Sequence, residues 1–107
     1  MNEQIENRVI GFLGLCMRAG RIVSGQEACV DLIRRKEAAL VLLDGSASEN
    51  TKKRITDACH SHGVPGWYLS ENALGSSIGK KGRMVIALKD DGMARNLLSM
   101  LEGEEQL

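Results

Sequence analysis

The sequence predicts a single α/β domain: a three-layer α/β/α sandwich around a small, mixed and largely parallel four-stranded sheet. Two apolar runs, Ala39–Leu43 and Met84–Leu88, show no alternation with polar residues, as in strands that are covered on both faces. Segments with helical spacing of apolar residues separate the predicted strands, and helical crossovers join parallel strands. The length of 107 residues fits one domain.

The first third of the chain contains two helix signals with a short strand between them. Apolar residues recur at helical spacing over 5–19, and a short strand over 21–23 follows. Ser24 and Glu27 then form the Ser-x-x-Glu pattern of a capping box. We therefore expect a second helix that begins beside Ser24 and continues to about residue 36.

The middle of the chain carries clear boundary signals. Residues 44–48 have turn chemistry, and Ser48 is suited to cap a third helix over 49–62. Gly63 ends that helix, because glycine adopts the left-handed conformation without strain. A strand over 67–69 follows.

The last third predicts a short helix, a loop, a strand and a final helix. Ser70 is expected to cap the short helix over 70–74, and Gly75 to close it. The loop 76–83 is rich in glycine and lysine. Asp90 or Asp91 opens the final helix, where an acid favours the helix dipole.

The charges balance over the whole chain but not along it. Fourteen Lys and Arg residues face fourteen Asp and Glu residues. Three of the acids lie in the segment 102–107, so residues 1–101 carry 14 basic and 11 acidic side chains. The balance excludes strong non-specific attraction of the whole molecule to nucleic acid or lipid, but not a local basic face. The acidic segment from about 102 is expected to be a frayed C-terminus.

The cysteine pattern and the lack of targeting signals indicate a cytoplasmic protein. Cys16, Cys29 and Cys59 are odd in number, show no Cys-x-x-Cys spacing and lie among apolar neighbours. We expect buried, reduced thiols. The first residues lack the pattern of a signal peptide, and no apolar run approaches the length of a membrane span.

No pattern in the sequence indicates catalysis, a metal or a cofactor. His60 and His62 are two positions apart, so on a helix they point to different faces. The segment 75–80 resembles a phosphate-binding loop, but it is one residue short and is followed by Lys81 in place of Ser or Thr. The sequence therefore predicts a protein that is not an enzyme and needs no cofactor.

Three basic clusters remain, at 34–36, at 52–54 and at 80–83. Each is either a solvated surface or a set of phosphate contacts. With one Trp, one Tyr and one Phe, the chain lacks the aromatic residues for a base-stacking sheet. If RNA is bound, loops and helix N-termini should read it.

The order of elements from residue 40 onward is distinctive. Strand 40–43, helix 49–62, Val64-Pro65, strand 67–69 and the segment 70–79 follow one another closely. This series resembles the ribosomal protein L-seven-Ae/L-thirty-e superfamily, whose members bind kink-turn RNA. The resemblance covers about residues 5–101. Length and acidic C-terminus are most similar to the bacterial YlxQ-type branch.

The resemblance implies a non-enzymatic RNA-binding protein of the ribosome or the transcription–translation machinery. Two adjacent loops, 24–31 and 69–75, would recognise kink-turn-like RNA, with a smaller contribution from 44–48. The implied partners are structured ribosomal or messenger RNA, with the ribosome or other proteins as further partners, without DNA specificity or membrane association. The candidate contacts are Ser24, Gly25, Gln26, Glu27, Ala28, Asp31, Ser46, Ser70, Glu71, Asn72, Leu74, Gly75, Lys80 and Lys81, with Arg83 as a further phosphate contact.

The sequence departs from the family pattern at the start of the second helix. Counted from Gly25, the sites of the family's Asn/Lys, Glu/Gln and Lys hold the residues Glu27, Ala28 and Asp31. A shift by one residue matches the segment 26–27 to Asn-Glu and leaves Val30 at the lysine site. Glu71 also stands where a lysine is common. An alternative function is therefore a protein-interaction module on the same scaffold that has lost specific RNA binding.

Overall fold

The computed structural model describes residues 1–79 and 83–107. Within them, helices and strands alternate in the predicted order. The helices are α1 (Glu3–Arg18), α2 (Gln26–Arg34), α3 (Glu49–His62), α4 (Ala73–Ile78) and α5 (Gly92–Met100). The strands are β1 (Ile22–Ser24), β2 (Ala38–Asp44), β3 (Gly66–Leu69) and β4 (Val85–Lys89).

The four strands form one mixed sheet in the order β1-β4-β2-β3. This confirms the predicted mixed, four-stranded α/β fold, but the expectation of a largely parallel sheet is wrong. Only β2 and β3 pair in parallel, whereas β4 lies between β1 and β2 and is antiparallel to both. The reason is α4, whose six residues advance the chain by only about 9 Å at 1.5 Å per residue. The chain therefore enters β4 at the end of the sheet where it left β3.

Helices pack on both faces of the sheet. Side chains alternate along β2, so Leu40 and Leu42 belong to one cluster of buried residues and Val41 and Leu43 to the other. The first cluster contains buried residues of α1, α4 and α5, and the second contains those of α2 and α3. Burial on both faces explains why β2 and β4 are continuous apolar runs.

Several helix ends follow the sequence closely. The Ser48 hydroxyl accepts a hydrogen bond from the Thr51 N–H at 3.2 Å, and Gly63 has a left-handed φ of 67°. Both predicted ends of α3 are thus confirmed. Of the two aspartates proposed to open the last helix, Asp91 is the cap, and its carboxylate accepts from the Ala94 N–H at 2.9 Å.

The segment 102–107 is not frayed, contrary to the sequence-based expectation. The Trp67 indole N–H donates to the Glu104 carbonyl oxygen at 3.2 Å. The Leu107 N–H donates to the Gly66 carbonyl oxygen at 2.8 Å. These bonds tie the segment to β3, which is an edge strand of the sheet. The acidic composition suggested a solvated tail, but composition does not show the hydrogen bonds that the backbone of this segment makes.

Cys16, Cys29 and Cys59 are buried free thiols, as predicted. In the part of the chain that the structure describes, no helix is both long enough and apolar enough to cross a bilayer.

Candidate RNA interface

The two predicted recognition loops lie at the same end of the sheet. Ser24 at the end of β1 pairs with Ile86 near the start of β4. Asp44 at the end of β2 pairs with Leu69 at the end of β3. Because β4 is antiparallel to its neighbours, its first residue, Val85, lies at this end too. The turn before α2, the turn after β2 and the loop after β3 therefore form one surface, which we call the loop end.

The turn before α2 is built on Gly25, not on the predicted capping box. Ser24 is the last residue of β1, and no side chain makes a capping hydrogen bond at this helix. Gly25 takes the N-cap position with a φ of 103°, and its N–H donates to the Val85 carbonyl oxygen at 3.0 Å. Ser24 does not cap because its backbone is committed to the strand pairing. Glycine is suited to this site because other residues are strained at such a φ.

Glu27, the other half of the expected capping box, forms an ion pair instead. The Arg54 guanidinium on α3 donates to both carboxylate oxygens, at 2.7 and 3.1 Å. These hydrogen bonds lower the pKa of Glu27. Asp31, one turn further along α2, pairs with Arg35 at 3.2 Å. Each of the two acids that depart from the family pattern here thus has an arginine partner, while Ala28 between them is exposed.

The turn after β2 is organised by Asp44, the one fully buried acidic side chain in residues 1–79 and 83–107. Its carboxylate accepts hydrogen bonds from the N–H and hydroxyl of Ser46, at 2.9 and 2.6 Å. It also accepts from the backbone N–H groups of Asn72 and Leu74, at 2.9 and 3.0 Å. One side chain therefore fastens the turn after β2 to the start of α4.

Asp44 is ionised at neutral pH despite its burial. Burial alone raises the pKa of the carboxyl group, but the hydrogen bonds from Ser46, Asn72 and Leu74 outweigh it and hold the pKa below its ordinary value. The sequence pattern predicts only a turn here and does not indicate the role of the Asp44 side chain. The available signal was an aspartate directly after a continuous apolar strand.

The loop after β3 differs from the predicted short helix over 70–74. Helix α4 begins at Ala73, after Asn72 in a left-handed conformation with a φ of 67°. It continues through Gly75 and ends at Gly79. The prediction failed because the N–H of Leu74 is capped by Asp44, a side chain 30 positions away.

Ser70 anchors this loop to α1 instead of capping α4. Its N–H and hydroxyl donate to the two carboxylate oxygens of Glu6, at 3.1 and 2.8 Å. The turn after β2 and the loop after β3 also approach each other closely at Gly45, where a Cβ atom would lie 2.9 Å from the Leu69 carbonyl oxygen. A glycine is required there for the turns to stay in contact.

The candidate contacts differ in their exposure to solvent. The exposed ones are Glu27, Ala28, Asp31, Ser46, Ser70, Glu71 and Asn72. Leu74 was predicted as an RNA contact, but its side chain is fully buried in the first core cluster. The half-buried ones are Ser24, Gly25, Gln26 and Gly75. Lys80 and Lys81 lie outside the described residues.

Arg83 adds a positive charge to the loop end. It is exposed, and its Nη1 atom lies 3.3 Å from where a Cβ atom on Gly25 would be. The guanidinium group therefore lies beside the first turn of α2. Among the residues that the structure describes, no three His, Cys, Asp or Glu side chains converge as metal ligands would.

Comparison with known sequences identifies the family of this chain. Residues 8–98 match the profile of the ribosomal protein L7Ae/L30e/S12e/Gadd45 family. The chain is 45% identical over 91 residues to RNA-binding protein YlxQ of Bacillus subtilis (strain 168). The aligned region covers 84% of this chain and 91% of that protein. It is 36% identical over 104 residues to RNA-binding protein YlxQ of Enterococcus faecium, and this alignment covers 96% of this chain and 100% of that protein.

Solved structures share the fold. A protein with unknown function from Bacillus halodurans C superimposes with a TM-score of 0.81 at 33% identity, covering 89% of this chain and 97% of that one. The Giardia lamblia 15.5kD RNA binding protein gives a TM-score of 0.78 at 19% identity, and the superposition covers 97% of this chain and 89% of that one. The resemblance predicted from the sequence is confirmed: the chain belongs to the ribosomal protein L7Ae/L30e/S12e/Gadd45 family, in its YlxQ-type branch.

Proposed function

We propose that this protein is a non-enzymatic RNA-binding domain that recognises structured, kink-turn-like RNA through the loop end. The observation that carries the proposal is the Asp44 carboxylate, whose hydrogen bonds to Ser46, Asn72 and Leu74 hold two loops in one surface. A surface that is already ordered avoids part of the entropy cost of binding. The YlxQ relatives, which are named as RNA-binding proteins, support the same activity.

The surface offers the chemistry that folded RNA requires. The first turn of α2 presents backbone N–H groups and the positive end of the helix dipole, which suit a phosphate. Arg83 beside Gly25 supplies a guanidinium for a second phosphate. The exposed polar groups of Ser46 and Asn72 are placed to reach the edges of unstacked bases.

The acids at the loop end do not prevent this function. Arg54 and Arg35 offset the charges of Glu27 and Asp31, so this part of α2 is close to neutral. A carboxylate held by an arginine can still accept a hydrogen bond from a base edge. The pairing favours RNA over the alternative of a protein-interaction module built on a negative patch.

The family and its relatives support a more specific role. We propose a cytoplasmic protein whose RNA is ribosomal or messenger and which works with the ribosome or the transcription–translation machinery, as a single domain over 1–107. The ribosomal proteins that give the family its name support this placement. The three buried thiols support a reducing compartment.

A fluorescence anisotropy titration tests the proposal. The probes are a labelled kink-turn RNA and a scrambled duplex of the same length, each at several salt concentrations. We expect the kink-turn RNA to bind at least tenfold more tightly. Arg83→Gln should weaken binding and reduce the salt slope by about one, whereas Arg95→Gln on α5 should bind like the wild type.

Two results would count against the proposal. Equal, weak binding of both RNAs that vanishes at physiological salt would exclude specific recognition. Purification from cells with a stable protein partner and no nucleic acid would favour the alternative, a scaffold that has become a protein-interaction module.

A further inference from the structure

A groove runs between α2 and α3 on the face of the sheet opposite α1. Its volume is about 420 Å³. The lining residues extend from Asn50 in the first turn of α3 to His62 at its last residue, a distance of about 18 Å at 1.5 Å per residue. That length accommodates several successive phosphates of a nucleic-acid strand.

Positive charge predominates in this groove. It is lined by Arg34, Lys53 and Arg54 but by only one acid, Asp57, which pairs with Lys53 at 3.3 Å. Within residues 1–79 and 83–107, Arg34 makes no ion pair. Its guanidinium is therefore available to an anion from outside the chain.

The rest of the lining mixes polar and aliphatic residues. Asn50, Ser61 and His62 supply hydrogen-bonding groups, whereas the aliphatic part consists of Val30 and Ala58. An apolar peptide helix would find no deep apolar pocket here. A chain of phosphates and sugars, by contrast, would find donors and cations along its whole length.

The groove is continuous with the loop end. Arg54 lines the groove and also donates to Glu27 in the first turn of α2. Thr51, next to Asn50, donates from its hydroxyl to the side-chain oxygen of Gln26 at 2.7 Å. A polyanion bound at the first turn of α2 thus reaches the groove without crossing the rest of the surface.

We propose that the groove between α2 and α3 holds the sugar–phosphate backbone of the RNA beyond its contacts with the loop end. This inference rests on the proposed function and adds a second contact surface to it. Arg34 and Lys53 bind phosphate oxygens, whereas Arg54 stays paired with Glu27 at the junction. Contacts of this kind fix the register of the RNA and add affinity without reading its sequence.

The double variant Arg34→Gln/Lys53→Gln tests the groove. Arg8→Gln/Arg95→Gln is the matched control, because it removes the same charge from α1 and α5, which pack on the opposite face of the sheet. Both variants are titrated with the labelled kink-turn RNA over a range of salt. We expect the groove variant to bind about tenfold more weakly at physiological salt, with a salt slope smaller by about two, and to keep its preference over the scrambled duplex. The control should match the wild type.

Shortened RNAs locate the contact. Two further probes carry the same kink with one or the other flanking stem trimmed. We expect one trimmed form to lose affinity for the wild type but not for the groove variant, because both changes remove the same contacts.

Failure of the inference is distinguishable from failure of the proposed function. If the wild type prefers the kink-turn RNA and the groove variant has unchanged affinity and salt slope, the groove is not an RNA surface, although the loop end is. If the wild type shows no preference, both proposals fall. Binding of poly-glutamate to the wild type but not to the groove variant, with unchanged RNA binding, would assign the groove to an acidic protein segment instead.

Discussion

Asp44 shows how one side chain can determine the shape of a surface. The first N–H groups of a helix need acceptors, and these usually come from a side chain just before the helix. For α4 the acceptor comes from the end of β2, through the bond from the Leu74 N–H to the Asp44 carboxylate. The same carboxylate holds Ser46, so the two loops cannot move apart without exposing unpaired polar groups.

Asp44→Asn is expected to lower the free energy of unfolding by about 2–4 kcal/mol. The amide nitrogen that replaces one oxygen would face the N–H donors that now bond to the carboxylate. Urea unfolding followed by circular dichroism measures the change. The matched control is Asp57→Asn, an exposed acid in a surface ion pair, whose effect should stay below about 0.5 kcal/mol. Similar stability of both variants would show that the network around Asp44 contributes little.

The stability difference between the wild type and Asp44→Asn should also depend on pH. The pKa of Asp44 is lower in the folded state, so its contribution is complete above the ordinary value of 3.8 and is lost as the pH falls through the folded-state value. The stability difference between the wild type and Asp44→Asn should therefore be constant from about pH 5 to 8 and narrow below about pH 4. A difference that widens on acidification would contradict the assignment.

Single residues also show where sequence reasoning succeeds. Ser48, Gly63 and Asp91 act within their own segments, and each was identified from its neighbours. Ser24 and Ser70 have the same local chemistry, yet neither caps a helix. Ser24 is held in β1 and Ser70 is bonded to Glu6, 64 positions away. Local patterns could not show these distant partners.

At the scale of elements, the direction of β4 decides whether a shared surface exists. The apolar patterns predicted that β2 and β4 are buried on both faces, and they are. These patterns do not indicate the direction of a strand. The assumption of helical crossovers predicted a parallel β4, whereas β4 is antiparallel to β1 and β2. Because β4 is antiparallel, Arg83 and Val85 lie beside the turn before α2 and not at the far end of the sheet.

The edge strand β3 gives a prediction at this scale. Deletion of residues 102–107 removes the hydrogen bonds to Trp67 and Gly66, which should cost about 1–2 kcal/mol of stability. The emission of Trp67, the only tryptophan, should shift to the red as its ring gains contact with water. Glu102→Gln/Glu105→Gln in the full chain is the control, since it removes charge but keeps the backbone bonds. Unchanged stability and emission after the deletion would show that the segment does not hold the edge.

Across the whole molecule, two packed clusters of buried residues support the sheet and the loop end. Burial raises the pKa of Cys29 to about 12 and that of Cys59 to about 11 in the cluster under α2 and α3. Burial also raises the pKa of Cys16 in the other cluster. Both clusters exclude water close to the sheet.

This packing predicts thiol chemistry. At pH 8 the native protein should react with Ellman's reagent only as fast as it opens, because buried neutral thiols are poor nucleophiles. In guanidinium chloride all three cysteines should react at once. Rapid reaction of any thiol in the native protein would mean that one of the clusters is open to solvent.

The position of the candidate site in the fold could be predicted from the sequence, but the side-chain partners within it could not. Resemblance to the family indicated that the turn before α2 and the loop near residue 70 act together, and the structure puts them at one end of the sheet. The partnership of Glu27 with Arg54 joins residues 27 positions apart, and no spacing rule indicates it. The groove beside them depends on how α2 and α3 pack, so it too could be found only in three dimensions.

The most direct test of the central claim is an NMR titration of the ¹⁵N-labelled protein with unlabelled kink-turn RNA. The backbone amides of 24–28, 44–46, 70–75 and Arg83 should shift or broaden together. Amides at the opposite end of the sheet, such as those of Ile22, Ala38 and Lys89, should stay in place. Perturbations centred on the opposite end, or none at RNA concentrations well above those of the protein, would contradict the account.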